Sequence, residues 1–505
     1  MTPRVIITGD PLSPDDVIAV ADRTAIVEVG PSVAERMAPA RRLVEQAVES
    51  GDVVYGVTTG FGALATTRVK PEMSAAMQAS LLRSHAAGVG EPLPDRMVRA
   101  MLVLRARTLA QGHSGVRPVV VERIVDLLRA DLLPVVPGQG SVGASGDLAP
   151  FAHLALPLIG EGFVRVSGEV RPAAAALATA GIEPLTLEPK EGLSLLNGTE
   201  GMLAFLVLGL GRAGKIARAA DMACAVSIEA LLGSDRPFRA DVHALRPHPG
   251  QAESARKIRE ALAGSEIVSS HRDDLTHAVQ DAYSLRCAPQ VHGAAADVLG
   301  FAAGVAEREL GAVVDNPIVF PETGEVVSAG NFHGEPLAFA LDFIAIALAE
   351  IASISERRTD RILDPHRSSG LPPFLASRPG IDSGYMIAQY TAAALVAENR
   401  VLCHPASVDS VPTSGLQEDH VSMGWGAGRK LQDVLANTAR VVAVELLCAA
   451  EGVDRRRPLK PGRGTGAVHA LVRSVVPPLR EDRPPGEAIE AITALIEGGA
   501  FDGIV

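Results

Sequence analysis

Five long apolar segments follow one another after residue 197, and they constrain the fold more than any other feature. They are rich in Ala and Leu and cover residues 198–232, 291–314, 337–363, 383–401 and 423–452. Apolar residues occupy more than one face of several segments, which indicates helices buried on all sides in a bundle or at a subunit interface. Signals for β-strands are nearly absent there. This region therefore predicts a long helical bundle.

The N-terminal region carries mixed helix and strand signals. Ser13-Pro14-Asp15-Asp16 is typical of a helix start, with an N-cap, an early proline and acids in the first turn. Ser32 with Glu35 predicts a capping box at the start of a second helix. Residues 53–55 and 132–136 are strand candidates. These signals together predict an α+β domain.

At 505 residues the chain is too long for one compact core. We predict a mainly α protein with an N-terminal α+β domain at residues 1–200. A central helical bundle would follow at 201–505. The stretch after Pro458 would form a small C-terminal helical cap.

The charge balance argues against a nucleic-acid partner. There are 47 basic and 59 acidic residues, giving a net charge of −12. No basic stripe interleaved with aromatic residues is present, and Arg455-Arg456-Arg457 is typical of a solvated turn.

Cysteine usage and hydropathy indicate a soluble, cytoplasmic protein. The four cysteines form no CxxC pair, so neither a disulfide framework nor a zinc knuckle is predicted. The N-terminal residues lack the apolar run of a signal peptide. Asp342 and Glu350 interrupt the apolar stretch 338–354, so we expect no membrane span.

The run Gly143-Ala144-Ser145-Gly146-Asp147 can form an electrophile from its own backbone. The nitrogen of Gly146 can attack the carbonyl carbon of Ala144 and close a five-membered ring, because glycine has no Cβ to block the approach. The ring then loses one water, and the Ser145 hydroxyl leaves as a second water. The product is a methylene group conjugated to an imidazolone. Proteins otherwise take such electron sinks from bound cofactors. Ala-Ser-Gly alone is usually a plain loop, so the longer run carries this interpretation.

Other familiar motifs do not fit. The run 138–143 matches G-x-G-x-x-G, but Pro134 and Pro137 interrupt the preceding strand and no βαβ unit is predicted around it. No glycine run ends in Gly-Lys-Ser/Thr, and the 13 histidines form no HExxH or Cys/His ligand pattern. We therefore predict neither a nucleotide site nor a metal site.

Five polar clusters stand out, although each could by itself be a helix cap or a packed loop. Tyr55 lies in a glycine-rich loop and could act as a phenolate base, provided that positive charge or hydrogen-bond donors lie nearby. His85 lies among small residues, where a lone histidine is usually structural. Arg286 could clamp a carboxylate through two parallel hydrogen bonds. The remaining clusters are 331–336 and 417–423.

These strings, in this order, resemble the aromatic amino acid ammonia-lyases that carry a methylidene-imidazolone (MIO) group, most closely the histidine-specific members. The resemblance runs from about residue 5 to about residue 480. Besides the cyclising run it rests on Tyr55-Gly56-Val57, Leu195-Leu196-Asn197-Gly198-Thr199, Tyr283–Arg286, Asn331-Phe332-His333 and Gln417-Glu418-Asp419-His420. It implies a mainly α-helical homotetramer whose active sites each draw on more than one subunit.

The resemblance also implies roles for individual residues. Ala144, Ser145 and Gly146 would form the MIO group autocatalytically, and Tyr55 would remove the β-proton. Arg286 would hold the substrate carboxylate. The other implied site residues are Tyr283 as a catalytic residue and Ser84, His85, Asn197, Gln280, Phe332 and Glu418 as substrate-binding residues.

The pair Ser84-His85 falls where the family's selectivity pair lies. There the phenylalanine lyases carry Phe-Leu, the tyrosine lyases His-Leu and the histidine lyases Ser-His. A pocket histidine can hydrogen-bond an imidazole substrate. The resemblance thus implies elimination of ammonia from L-histidine to give trans-urocanate, with no external cofactor. Thr58 is a departure, since many relatives carry Asn or Ser there.

Two alternatives stay open. The same scaffold could be a tyrosine or phenylalanine ammonia-lyase or an aminomutase, because pockets change more easily than folds. A catalytically silent helical oligomer, serving as a scaffold or a metabolite-binding partner, would need a broken Ala-Ser-Gly run or a lost Tyr55. Neither loss is seen in the sequence.

Overall fold

Short helices and strands make up the N-terminal part of the chain. The computed structural model describes residues 2–60, 62, 68, 69, 71–272 and 279–505. The helices before residue 197 are α1 Pro14–Ala21, α2 Val33–Ser50, α3 Pro71–His85, α4 Asp95–Ala110, α5 Pro118–Arg129, α6 Leu148–Ala155, α7 Ala173–Ala180 and α8 Glu191–Leu196. The strands are β1 Arg4–Ile7, β2 Ile26–Val29, β3 Val89–Pro92, β4 Leu133–Pro134, β5 Pro137–Gln139, β6 Phe163–Val166, β7 Glu169–Pro172, β8 Ile318–Phe320 and β9 Glu325–Val327.

The described strands form small sheets of two or three members. β1 pairs parallel with β2, with Arg4 opposite Ile26. β6 lies between β4 and β7, and β4 is shorter than the strand predicted at 132–136. The glycine run 138–143 begins in β5, which pairs antiparallel with β3. A dinucleotide site would instead need this run between the parallel strands of a βαβ unit.

Helices dominate the rest of the chain. They are α9 Glu200–Ala230, α10 Ala240–Ala244, α11 Pro249–Ala261, α12 Glu266–Ser269, α13 Tyr283–Arg286, α14 Ala288–Glu309, α15 Glu335–Leu363, α16 Met386–Leu402, α17 Gly424–Asp454, α18 Arg463–Val475 and α19 Gly486–Glu497. The five long helices predicted from apolar segments are confirmed as α9, α14, α15, α16 and α17. The hairpin β8–β9 lies between α14 and α15, in the region where the sequence analysis found almost no strand signals.

The two helix-start signals have different outcomes. Ser13 caps α1 by accepting from the Asp16 N–H, and the Asp16 carboxylate accepts from the Ser13 N–H, which is a complete capping box. Ser32 precedes α2 in a helical conformation and makes no side-chain capping bond. The capping box predicted between Ser32 and Glu35 is therefore wrong, although the helix begins where it was expected.

Contacts divide the chain into two compact units, each made of three stretches. The first contains Met1–Leu208, Ala303–Leu341 and Pro405–Arg429, and the second contains Gly209–Ala302, Asp342–His404 and Lys430–Val505. In the first unit α4 is buried along almost its whole length and packs against α1 and α5. The domain boundary predicted at residues 200/201 comes from the sequence pattern and not from contacts. It stays a prediction.

One described helix, α15, is long and apolar enough to cross a membrane by length and composition alone. Contrary to the sequence analysis, Asp342 and Glu350 do not interrupt this stretch enough to bring it below that length. However, 61% of its most apolar window is buried inside the protein, which is typical of a core helix. Within the second unit the buried carboxylate of Asp342 pairs with Lys430 at 2.5 Å, as expected for a helix packed against protein.

Candidate active site

Six predicted site residues line one cavity of about 570 Å³ in the first unit. Its walls come from α3, α6 and α8 and from three loops. The six residues are Tyr55, Ser84, His85, Ser145, Asn197 and Glu418. Within the described ranges, no group of three or more His, Cys, Asp or Glu side chains is placed to hold a metal ion.

The cyclising loop adopts a tight conformation with glycine at its two left-handed positions. Gly143 and Gly146 have φ angles of +73° and +75°. A Cβ on Gly146 would overlap the carbonyl oxygen of Gly198. The Asp147 N–H donates to that same carbonyl at 2.8 Å. The structure thus leaves no room for a larger residue at the position whose nitrogen would close the ring.

Asn197 holds the side chain of Ser145 in the cavity wall. The Ser145 hydroxyl donates to Asn197 Oδ1 at 2.7 Å. The other half of the amide fixes this orientation, because Nδ2 donates to the Asn316 carbonyl at 2.6 Å. Arg105 donates to the Asn197 carbonyl, also at 2.6 Å, and so anchors the backbone. Asn197 therefore presents an acceptor to the hydroxyl that would leave as water.

Tyr55 lies in a turn, so the strand predicted there is wrong. The Thr58 hydroxyl closes the turn by accepting from the Val54 N–H at 2.9 Å and donating to the Asp52 carbonyl at 2.5 Å. These hydrogen bonds compete with strand pairing, as Thr side chains often do in turns. The Gly62 N–H donates to the Tyr55 phenol oxygen at 3.0 Å. The departure at Thr58 therefore leaves Tyr55 at the cavity.

His85 is the last residue of α3, and its ring forms part of the cavity wall. Its Nδ1 lies 3.0 Å from the carbonyl oxygen of Leu81, one helical turn earlier, so Nδ1 carries the proton and donates. Nε2 is then the acceptor that a ligand can use. Burial lowers the pKa of His85, which makes the ring neutral at neutral pH.

Glu418 reaches the same cavity from a loop held by Thr413. The Thr413 hydroxyl donates to Glu418 Oε2 at 2.9 Å, and the Thr413 N–H donates to the Glu418 carbonyl at 2.8 Å. Burial is the largest influence on the pKa of His85 and lowers it. The hydrogen bond to Leu81 and the charge of Glu418 both act to raise that pKa, but less strongly. The cavity thus presents two hydrogen-bond acceptors, His85 Nε2 and the Glu418 carboxylate.

Six predicted site residues are absent from the described lining of this cavity. Two of them, Ala144 and Gly146, flank Ser145 in the cyclising loop. Phe332 lies half-buried in the first unit, and Gln280, Tyr283 and Arg286 belong to the second. There the guanidinium carbon of Arg286 lies 4.6 Å from the centroid of the Tyr283 ring, and Tyr283 is 70% exposed. Among the described residues the buried Nε of Arg286 has no hydrogen-bond partner, so this side chain keeps a donor for an anionic group.

The sequence matches the family of aromatic amino acid lyases over residues 12–474. It is 51% identical over 499 residues to a histidine ammonia-lyase of Gloeobacter violaceus, covering 99% of this chain and 97% of that relative. The chain belongs to the aromatic amino acid lyase family. Its resemblance to that family is therefore confirmed.

Solved structures of family members have the same fold. Histidine ammonia-lyase from Trypanosoma cruzi has a TM-score of 0.91 at 43% identity, covering 99% of this chain and 94% of that chain. Tyrosine aminomutase from Streptomyces globisporus has a TM-score of 0.93 at 40% identity, covering 99% and 97%. The mainly α fold class is thus confirmed.

Asp147 is a buried acid for which the sequence interpretation of this lyase found no role. It accepts from the Met202 N–H at 2.9 Å. Burial raises the pKa of Asp147 to about 8, so the carboxyl is protonated at neutral pH, two residues after Ser145. An acid within a run of small residues is the signal that could have drawn attention to it.

A buried ion pair behind Asn316 also escaped the sequence interpretation. Lys190 Nζ lies 2.8 Å from Asp315 Oδ2, and both side chains are fully buried. Burial by itself would raise the pKa of Asp315, but the adjacent Lys190 ammonium lowers it. The Asn316 N–H donates to Asp315 Oδ1 at 2.7 Å, so the pair anchors the backbone that orients Asn197. Its members lie 125 positions apart, and no local pattern marks them.

Proposed function

We propose that this protein is a histidine ammonia-lyase, a carbon–nitrogen lyase that converts L-histidine into trans-urocanate and ammonia. The observation that carries the proposal is the single cavity that gathers Tyr55, the Ser145 loop, His85 and Glu418. The reaction needs a base, an electrophile for the amine and recognition of the ring, and the cavity has residues suited to each. Family membership and relatives named histidine ammonia-lyase at about half identity support it.

The residues 144–146 fit the MIO group that the family implies. The left-handed backbone and the crowding at Gly146 suit a close approach of its nitrogen, and Asn197 aligns the Ser145 hydroxyl. Once formed, the group would supply an electrophilic methylene that takes up the substrate amine and makes it a better leaving group. No external cofactor would then be needed.

Tyr55 is the proposed base for the β-proton. The Gly62 N–H that donates to its phenol oxygen would stabilise negative charge on that oxygen. Tyr55 and Ser145 line the same cavity, so a substrate held between them reaches both. Removal of the proton and departure of the amine leave the new carbon–carbon double bond.

Ring recognition would come from His85 and Glu418. The neutral His85 accepts a hydrogen bond at Nε2, which suits an imidazole N–H of the substrate. Glu418, held by Thr413, would accept from the substrate amine, or from the second ring N–H of a protonated imidazole. A phenyl ring offers no N–H and would leave these acceptors unpaired, which costs about 1–3 kcal/mol for a buried group.

We propose that further copies of the chain complete the site in a homotetramer. Tyr283 and Gln280 are exposed, as expected for residues that contact another subunit. Arg286 keeps a hydrogen-bond donor for the substrate carboxylate. Phe332 would line the pocket. A separated monomer would then be inactive.

The long helices of the second unit support this assembly. Apolar side chains stand exposed along α14, α15 and α16, and such patches mark interaction surfaces. They are Phe301, Phe343, Ile346, Ile387 and Tyr390. We propose that the enzyme acts in the cytoplasm on a small amino acid and has no nucleic-acid or membrane partner.

A tyrosine aminomutase among the structural neighbours makes activity on tyrosine or phenylalanine the second candidate. Ser84-His85 and the two acceptors in the cavity favour imidazole instead.

Separate incubations with L-histidine, L-tyrosine and L-phenylalanine test the proposal, with ammonia and the ultraviolet absorbance of the conjugated acid as readouts. We expect turnover of L-histidine and an intact mass lower than the sequence mass by two waters. Ser145→Ala should keep the fold but show the full mass and no turnover. Turnover of tyrosine or phenylalanine alone would overturn the substrate assignment, and an undehydrated native chain would overturn the mechanism.

A further inference from the structure

A buried carboxylate in the second unit collects four hydrogen bonds. Glu445 accepts from the Ser227 hydroxyl at 2.7 Å and from the Ser355 hydroxyl at 2.6 Å. Arg358 donates to it twice, from Nε at 2.5 Å and from Nη2 at 2.8 Å. Both charged side chains are fully buried. Because a guanidinium is planar and this contact is bidentate, Glu445 fixes the direction of the remaining Arg358 nitrogen.

That remaining nitrogen points at the backbone of α13. Arg358 Nη1 donates to the Ser284 carbonyl at 3.2 Å. A weaker contact at 3.4 Å joins Nη1 to His292 Nε2, whose Nδ1 lies 2.8 Å from Asp221 Oδ1. With Nδ1–H donating to Asp221, Nε2 of His292 is an acceptor. The two side-chain partners of the Arg358 guanidinium, Glu445 and His292, are thus themselves held in place.

The segment held in this way carries two predicted site residues. Ser284 lies in α13 between Tyr283 and Arg286, and a helix of four residues has too few internal hydrogen bonds to hold its own position. The Arg286 guanidinium stacks over the Tyr283 ring at 4.6 Å, so a tilt of this helix would displace both together. A bidentate grip on a carboxylate tolerates little displacement.

We infer that Arg358 is a positioning residue that acts through the Ser284 carbonyl to aim Arg286 at the substrate carboxylate. The inference rests on the proposed function, since only there does Arg286 bind a carboxylate. A purely structural ion pair would instead affect folding and leave the choice among ligands untouched. The two roles therefore differ in what they do to binding of a carboxylate compared with a neutral group of the same shape.

The test compares two competitive inhibitors, imidazolepropionate and its carboxamide, on the full-length enzyme. For Arg358→Lys we expect about tenfold weaker binding of the carboxylate and less than twofold change for the carboxamide, because an ammonium cannot span Glu445 and Ser284 in one plane. Ser355→Ala is the matched control, since it removes a donor to the same carboxylate without touching Ser284. It should lower Tm and leave the inhibitor ratio unchanged.

Arg286→Gln separates this inference from the proposed function. We expect it to remove the preference for the carboxylate, and Arg358→Lys to add nothing further in that background. If Arg286→Gln removes the preference but Arg358→Lys behaves like Ser355→Ala, the positioning role is wrong and the proposed function stands. If Arg286→Gln leaves the preference intact, the assignment of Arg286 fails and the inference fails with it.

If Arg358→Lys does not fold, a double variant without either buried charge provides a second test. Arg358→Met combined with Glu445→Gln removes both buried charges and also removes the donor to Ser284, because methionine has no N–H group. Its cost in stability is smaller than that of one unpaired charge. It should show the same loss of carboxylate preference. A preference equal to that of the wild type in this folded double variant would overturn the inference.

Discussion

Replacing His85 with phenylalanine tests how the cavity recognises its substrate. Nδ1 of His85 is engaged by the Leu81 carbonyl, so Nε2 is the nitrogen that can accept from the substrate ring. The variant removes this one acceptor. Leaving a buried N–H unpaired costs about 1–3 kcal/mol, which is roughly 5- to 150-fold in an affinity or rate ratio. His85 is only half-buried, and water can replace part of the lost contact. We therefore expect kcat/KM for L-histidine to fall by about tenfold.

The assay measures kcat/KM for L-histidine and L-phenylalanine with the wild type and His85→Phe. The ratio of the two values should shift toward phenylalanine, because the variant replaces an unpaired acceptor with an apolar wall. His271→Phe is a matched control. His271 also follows a serine, and its Nδ1 lies 3.1 Å from the carbonyl four residues earlier, but it is outside the described cavity lining. We expect it to leave the ratio unchanged.

An unchanged substrate ratio in a folded His85→Phe enzyme would refute the reasoning. The loss of the MIO absorbance in that variant would show instead that the substitution disturbs the cyclising loop. Both readouts come from the same preparation, so the two outcomes are separable.

Three further predictions concern buried and semi-buried groups near the cavity. The carboxyl of Asp147 keeps its proton up to about pH 8 in the folded protein but only up to about pH 4 in the unfolded chain, so its contribution lowers stability as the pH rises between these values. Asp147→Asn should therefore flatten the decline of Tm measured between pH 5 and 9. Parallel Tm curves for the two proteins would contradict this. Lys190→Met should cost about 3–5 kcal/mol in free energy of unfolding by denaturant titration, and adding Asp315→Leu should recover most of it, because the first variant leaves a buried charge unpaired. Thr413→Val removes one donor to Glu418 and should lower kcat/KM for L-histidine by roughly 2- to 10-fold with little change in Tm, whereas a Tm loss with unchanged kinetics would assign Thr413 a structural role only.

Several parts of the site follow from local sequence. The chemistry of residues 144–146 depends on neighbouring backbone atoms, so three consecutive residues suffice to suggest it. The Ser13 capping box likewise involves groups three residues apart. Signals of this range can be read directly from a sequence.

Two predictions from local patterns are wrong. The strand predicted around Tyr55 failed because the Thr58 hydroxyl bonds the backbone of its own turn, which outweighs the strand preference of two valines. The capping box at Ser32 is wrong because its backbone is already helical, whereas a capping residue normally has extended backbone, and its side chain makes no capping hydrogen bond. At Tyr55, hydrogen bonding within the turn thus overrides local strand propensity.

The sequence by itself determined the long helices, since apolar residues at helical spacing become stable only by burying several faces. It also determined the residue types of the chemistry, from the Ala144–Gly146 backbone to Tyr55 and His85. Only the tertiary structure decided how those groups are aimed. Asn197 is oriented by the carbonyl of Asn316, and α13 is held by Arg358, both across long stretches of chain. A hydrogen bond forms wherever folding brings donor and acceptor together, so its partners leave no periodic trace in the sequence.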